Sequence, residues 1–237
     1  MHTGRSPFPV VMSSAECYPF GEMARSAGKK HAPAAGRASG SAPVEVVLFD
    51  VGGVLAQEAI EWKAFDLAAR YGIDPQHLVE SGRRLRRRAD LGLISEQQYW
   101  KRLLEKFGIE ARQSDLSIER YVASVPGTLR ILAKLSEGAR CAILSNDSVE
   151  LAEARMRKLG YRKLAERVFV SAEMGMVKPQ PEIYLAAART LGCEPRACLM
   201  VDDREINLAG ARKAGMKVLL FRHSRQLEAG LRCHGLL

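Results

Sequence analysis

Aromatic residues are scarce in this 237-residue chain, at 6%, and they do not interleave with its basic residues. That argues against a nucleic-acid partner despite a formal charge of +9, because such binding joins a basic stripe to stacking platforms. An affinity for anionic small molecules accounts for part of the charge. No apolar run approaches the ~20 residues that cross a bilayer, so no membrane partner is expected. Cysteine is also sparse: Cys17, Cys141, Cys193, Cys198 and Cys233 are odd in number and lack metal-ligand spacing. Cys141 and Cys198 each open a strand-like apolar run, and reduced thiols in a cytoplasmic protein account for the set.

Residues 1–43 lack sustained apolar periodicity. Ala, Ser, Gly, Pro and basic residues dominate them, with Arg5, Arg25, Lys29, Lys30 and Arg37 set against Glu16 and Glu22. Such a segment buries too little apolar surface to offset the entropy of ordering. A disordered N-terminal extension is expected. An uninterrupted secretory core is missing, while an organelle transit peptide or a later start at Met12 or Met23 is compatible with the same residues.

What the sequence does contain is organised around VEVVLFDVGGVL, residues 44–55. Val44, Val46, Val47, Leu48 and Phe49 form a β-branched apolar run between Pro43 and Gly52-Gly53, the pattern of a parallel strand buried on both faces. Asp50 ends the run, where open α/β sheets bind ligands. The two glycines let the backbone turn sharply and approach a phosphate or metal. Alone, an Asp there serves equally as a turn former or a helix cap.

Helical periodicity takes over from 58 to 124: EAIEWKAFDLAARYG, a helix opened by Asp74-Pro75, and YWKRLLEKFG behind the capping-box spacing of Ser95 and Gln98. Arg83, Arg84, Arg86, Arg87 and Arg88 crowd one stretch of it. A solvated helix face is the plain reading, and a clamp for an anionic substrate the sharper one. From Pro126, helix and strand alternate: GTLRILAKLSEG, ARCAILSND, SVELAEARMRKLG, RVFVSAEMG, PEIYLAAARTLG, ACLMVDD, EINLAGARKAG, KVLLF. This predicts an α/β fold, a doubly wound parallel sheet built from 44–57 and 125–237, with an all-helical insertion at 58–124.

Each strand of interest ends in a polar cluster. Ser145 and Asn146 follow CAIL, Lys178 follows the third strand, and Asp202 and Asp203 follow CLMV. Singly, each has a plainer reading: Ser145, Asn146 or Asp147 as a helix N-cap, Lys178 as a surface lysine in a turn. Adjacent carboxylates after a buried strand repel each other unless a cation or a cap relieves them, which favours a metal at Asp202-Asp203. Carboxylate, hydroxyl and amide, ammonium, and paired carboxylates together fit phosphoryl chemistry.

In order and spacing, FDVGGVL, LSND, VKP and VDDREINLAGARKAGM resemble the four motifs of the haloacid dehalogenase (HAD) superfamily, the last being close to its sugar-phosphatase-like members. The resemblance covers residues 44 to about 222. It implies a Rossmann-like core with a helical cap inserted after the first motif. It also implies Mg²⁺-dependent phosphate ester hydrolysis through an aspartyl-phosphate; the expected partner is a small phosphorylated metabolite, and a monomer and a homodimer are equally compatible with the sequence. Carried over residue by residue, Asp50 resembles the nucleophile, Ser145 and Asn146 the phosphate binders, and Lys178 the lysine bridging nucleophile and phosphoryl oxygens. The implied metal set is Asp50, the Gly52 carbonyl, Asp203 as direct ligand and Asp202 as outer-sphere partner. One position departs: Gly52 stands where most phosphatases of the superfamily carry a second Asp as general acid and base. Three readings follow, ranked as an active phosphatase, a metal-independent 2-haloacid dehalogenase-like hydrolase, and a catalytically weak binding or regulatory protein.

Overall fold

The computed structural model describes residues 43–237, so the extension expected over 1–43 lies outside the described residues except for Pro43. In chain order the elements are β1 (Val46–Phe49), α1 (Ala59–Tyr71), α2 (Pro75–Asp90), α3 (Glu96–Glu105), α4 (Gln113–Leu116), α5 (Thr128–Ser136), β2 (Arg140–Ser145), α6 (Val149–Leu159), β3 (Arg167–Val170), α7 (Ser171–Met174), α8 (Pro181–Leu191), β4 (Cys198–Asp202), α9 (Glu205–Lys213), β5 (Lys217–Leu220) and α10 (Ser224–Cys233). The five strands form one sheet in the order β3-β2-β1-β4-β5, every pair parallel. The chain runs outward from β1 to β3, then crosses back to lay β4 on the other side of β1. This reversal opens a crevice at the carboxyl ends of β1 and β4.

Side chains alternate across the strands, as a two-residue period requires. Val47, Phe49, Ile143, Leu199 and Val201 face one core with Ile131, Leu132 and Leu135 of α5 and Leu227 and Leu231 of α10. Val46, Leu48, Ala142, Leu144 and Met200 face the other with Ile183 and Ala187 of α8 and Leu208 and Ala211 of α9. Both faces are covered, so the strands read as continuous apolar runs. Among the described residues no helix is long and apolar enough to cross a membrane.

The four helices between β1 and α5 pack on a third core that includes Leu67, Leu78, Trp100 and Leu103 and meets Leu151 and Ala154 of α6. Asp74 accepts a hydrogen bond from the His77 N–H at 2.7 Å ahead of Pro75, and Ser95 and Gln98 form the reciprocal capping box. Of the arginine run, Arg86 turns inward to Asp90 and Glu96, while Arg83, Arg84, Arg87 and Arg88 are exposed, as a solvated face requires. Glu96 also accepts hydrogen bonds from Trp100 and from Ser148, which ties α3 to the start of α6.

Three local expectations need correction. RVFVSAEMG is not one strand: it leaves the sheet after Val170, where the Ser171 hydroxyl donates to the Asp90 carbonyl and accepts the Asp147 N–H, and the chain turns into α7. Alternation continues past KVLLF into α10, whose Leu227 and Leu231 close the core. The N-cap of α6 is Ser148, whose hydroxyl accepts the Leu151 N–H, and not Ser145, Asn146 or Asp147, whose side chains are engaged elsewhere.

Helix α9 braces the segment that carries Lys178. Gly210 abuts the Pro179 carbonyl so closely that a Cβ would overlap it. Gly210→Ala should therefore force α9 and residues 178–180 apart, at about 1–3 kcal/mol in a denaturant titration, with a matching loss of activity. An unchanged midpoint would show that this contact bears no strain.

Candidate active site

Because the strands are parallel, their carboxyl ends share one edge of the sheet, and the polar clusters after β1, β2, β3 and β4 meet there. Lys178 is buried, and its Nζ lies 2.8 Å from Asp50 Oδ1 and 2.7 Å from Asp202 Oδ2. It is thus not the surface lysine that its turn sequence allowed. Asp50 Oδ1 also accepts the Val51 N–H at 2.6 Å. Asp202 is saturated by protein donors: beyond Lys178, its carboxylate accepts from the Arg204 N–H at 2.9 Å and from Asn207 Nδ2 at 3.0 Å. Asp203 differs, since its Oδ1 is buried without a hydrogen-bond partner among the described residues. Gly53, at φ 73°, lies so close beneath that carboxylate that a Cβ would overlap it.

Past β2, Ser145 Oγ donates to Asp147 Oδ2 at 2.6 Å, and Arg155 Nη1 donates to the other oxygen of Asp147 at 2.7 Å. Asn146 spends its side chain on a backbone clamp, donating to the Lys178 carbonyl and accepting the Lys178 N–H, both at 2.9 Å. Its amide therefore positions the lysine rather than standing free toward a ligand.

Four contributors escaped the sequence reading. Asn207 lies five residues beyond Asp202 in the same motif and was legible only as part of its tail. Asp147 was read as a cap. Arg155 sits in the middle of an ordinary amphipathic helix. Glu58 is the most consequential: its Oε2 and Oε1 lie 3.1 and 3.3 Å from the place a Cβ on Gly52 would take, and Arg155 Nη2 lies 3.4 Å from it. The missing acid at residue 52 is the one signal that could have prompted a search for it.

With this geometry in view, the comparisons with known proteins are decisive. Residues 44–215 match the haloacid dehalogenase-like hydrolase family. The chain belongs to that family. Curated relatives of this HAD-like hydrolase include an N-acetylmuramic acid 6-phosphate phosphatase from Pseudomonas aeruginosa, 26% identical over 188 residues covering 76% of this chain and 82% of that protein. Hexitol phosphatase A from Escherichia coli is 28% identical over 180 residues, 73% of this chain and 80% of the relative. Among solved structures, a HAD family enzyme from Bacteroides thetaiotaomicron superposes with TM-score 0.66 at 21% identity, over 77% of this chain and 95% of that one. Another structure of that enzyme holds magnesium and inorganic phosphate. L-2-haloacid dehalogenase from Xanthobacter autotrophicus shares the fold at TM-score 0.60 and 20% identity, over 82% and 84% of the two chains.

The electrostatics of the HAD-like site show a deficit of positive charge. Oxygens of Asp50, Asp202 and Asp203 all lie within 4.8 Å of one another, and Lys178 supplies a single compensating charge at the cluster. Asp50 is held well above its ordinary carboxylate value, by burial first and then by the Asp202 charge, with Lys178 pulling the other way. Asp203 is pushed up to about 7 by burial, Glu58 and Asp202. Burial acts to lower Lys178, but the Asp202 and Asp50 carboxylates outweigh it and hold the ammonium above its usual value. These shifts, an all-oxygen donor set and the orphaned Asp203 Oδ1 fit a hard divalent cation better than zinc.

The sign of the pH effect follows. In cation-free protein Asp203 keeps its proton up to about 7, whereas the reference carboxyl loses it near 3.8. The stability from that retained proton is fully present below 3.8 and is lost as the pH rises through about 7. After EDTA treatment, Tm should fall by a few degrees between about pH 5 and about pH 7.5, and added Mg²⁺ should raise Tm more at the higher pH. A Tm indifferent to Mg²⁺ at about pH 7.5 would contradict a cation site here.

Proposed function

We propose that this HAD-like hydrolase is a Mg²⁺-dependent phosphatase acting on a small, sugar-like phosphomonoester, with Asp50 as nucleophile. The observation that carries the reading is the Asp50–Lys178–Asp202–Asp203 cluster, in which a carboxylate aimed into the crevice is held by an ammonium amid a surplus of negative charge. Relatives named as phosphatases of a muramic acid phosphate and of hexitol phosphates support the substrate class. Residues 58–124, rooted on both sides at the crevice, serve in this reading as the cap that selects the ester.

Asp50 and Asp203, the latter through its Oδ1, would hold the cation directly, and the Gly52 carbonyl would complete the protein's share of the set. Asp202, saturated by Lys178, Arg204 and Asn207, acts one step removed. A Mg²⁺ held there would supply positive charge against the repulsion between an anionic nucleophile and an anionic phosphate. The Asp50 carboxylate oxygen attacks phosphorus as the bond to the ester oxygen breaks, giving an aspartyl-phosphate and the free alcohol. Water then attacks the same phosphorus, releasing inorganic phosphate and restoring the carboxylate. Lys178 Nζ, 2.8 Å from the attacking oxygen, fixes its orientation and neutralises the phosphoryl oxygens. The Ser145 hydroxyl, released from Asp147, and the main chain at Asn146 receive the phosphate, while the Asn146 amide holds Lys178 in register.

Haloacid dehalogenation is the second reading, favoured only by the lack of an acid at residue 52. The acidic pair with its orphaned oxygen counts against it, since displacement of halide by a carboxylate requires no cation. Asp50→Asn should preserve the far-ultraviolet spectrum and Tm while lowering kcat on p-nitrophenyl phosphate with Mg²⁺ by roughly 10³-fold or more. Retained turnover in the variant would refute the nucleophile. Chloride release from a 2-chloroacid in EDTA would establish the second reading.

A further inference from the structure

The turn after β1 doubles back on itself. Gly53 N–H bonds the Ala56 carbonyl at 2.8 Å, Leu55 and Ala56 N–H groups bond the Val51 carbonyl at 2.9 and 2.8 Å, and Gly52 and Ala56 form a β-bridge. The returning strand is pinned from outside by Gln57 N–H to the Ala123 carbonyl at 2.8 Å and Val125 N–H to the Leu55 carbonyl at 3.0 Å. Residue 58 is thereby carried back over residue 52, and its carboxylate fills the space that a side chain on Gly52 would enter.

Plainer roles for Glu58 do not fit. It occupies the N-cap position of α1, yet its side chain makes no capping hydrogen bond. Among the described residues its carboxylate forms no ion pair or hydrogen bond, although the charges of Arg155 and Arg204 act on it. It also lies outside the group of carboxylates, Asp50, Asp202 and Asp203, that converge within 4.8 Å of one another. What remains is a half-buried carboxylate without a partner, facing the crevice two residues downstream of Asp50 in space though eight downstream in sequence.

We propose that Glu58 is the catalytic acid and base of this hydrolase, supplying from the first turn of the helical segment the carboxyl that residue 52 lacks. The inference rests on the phosphatase reading above. In the first half-reaction the Glu58 carboxyl gives its proton to the ester oxygen as that oxygen's bond to phosphorus breaks, so the alcohol leaves neutral and Glu58 becomes a carboxylate. In the second half-reaction that carboxylate takes a proton from the water attacking phosphorus, the bond from phosphorus to Asp50 breaks, and phosphate leaves with Glu58 reprotonated. Proton and electron pairs balance over the cycle without any other reactant. Arg155, 3.4 Å from the same point and anchored on Asp147, orders that side of the crevice.

The test is kcat/KM for the full Mg²⁺-loaded chain on a series of phosphate monoesters from p-nitrophenyl phosphate to simple alkyl phosphates. General acid catalysis contributes about 10²- to 10⁴-fold. Glu58→Gln should lose that factor on alkyl esters and little on the p-nitrophenyl ester, turning a shallow dependence on leaving-group pKa into a steep one. The double variant Gly52→Asp/Glu58→Ala, which restores a carboxyl from the other side of the same space, should recover the alkyl esters, a rescue that a structural role would not produce. Equal loss on every ester, or no loss on any, overturns the role of Glu58 alone. No turnover of any phosphate ester by the wild-type protein overturns it together with the phosphatase reading.

Discussion

One buried ammonium among three carboxylates is the constraint on which this molecule depends. Lys178 holds Asp50 and Asp202 at hydrogen-bonding distance, yet Asp203 completes a cluster whose negative charge exceeds what a lysine offsets. Like charges brought together away from water are costly unless they are neutralised by protons or by a cation. The fold accepts that cost at one edge of the sheet and reinforces it with donors placed on one carboxylate only. Asp202 is saturated while Asp203 Oδ1 has no partner among the described residues, an asymmetry expected of a site shaped for an external cation.

Three pieces of backbone make the cluster possible. β1 and β4 lie side by side with Val201 and Phe49 in register, so Asp50 and Asp202 emerge together. The Asn146 amide grips both polar groups of the Lys178 peptide, tying the end of β2 to the lysine that follows β3. Gly210 lets α9 rest against Pro179, which closes the segment from below. The site residues sit on short turns directly after the strands, and these contacts fix the turns to the sheet and to α9. The helical segment joins the same system, since Glu96 on α3 binds the Ser148 hydroxyl that caps α6.

The α/β alternation, the parallel sheet and the convergence of four strand ends were legible because buried parallel strands read as unbroken apolar runs ending in polar residues. Side-chain assignments within the clusters were less so. Asp147 resembles a cap in sequence, but Ser145 and Arg155 claim its two oxygens, and the capping task passes to Ser148. The Asn146 amide matches a ligand-binding position in sequence, whereas its side chain bonds both polar groups of the Lys178 peptide across the sheet. Strand β3 ends early because Ser171 is drawn away by Asp90 and Asp147, contacts that link residues distant in the chain. Glu58 was hidden for the same reason: its place over Gly52 is created by a turn that periodicity does not reveal.

That turn gives the chain a way to keep a carboxyl beside the crevice while leaving residue 52 without a side chain. The nucleophilic role of Asp50 is tested by acid quenching of the Mg²⁺-loaded protein during turnover of a phosphomonoester, followed by peptide mass spectrometry. A hydroxylamine-sensitive phosphoryl group is expected on the peptide bearing Asp50. Phosphate release at full rate with Asp50 unmodified and the label on another residue would contradict it.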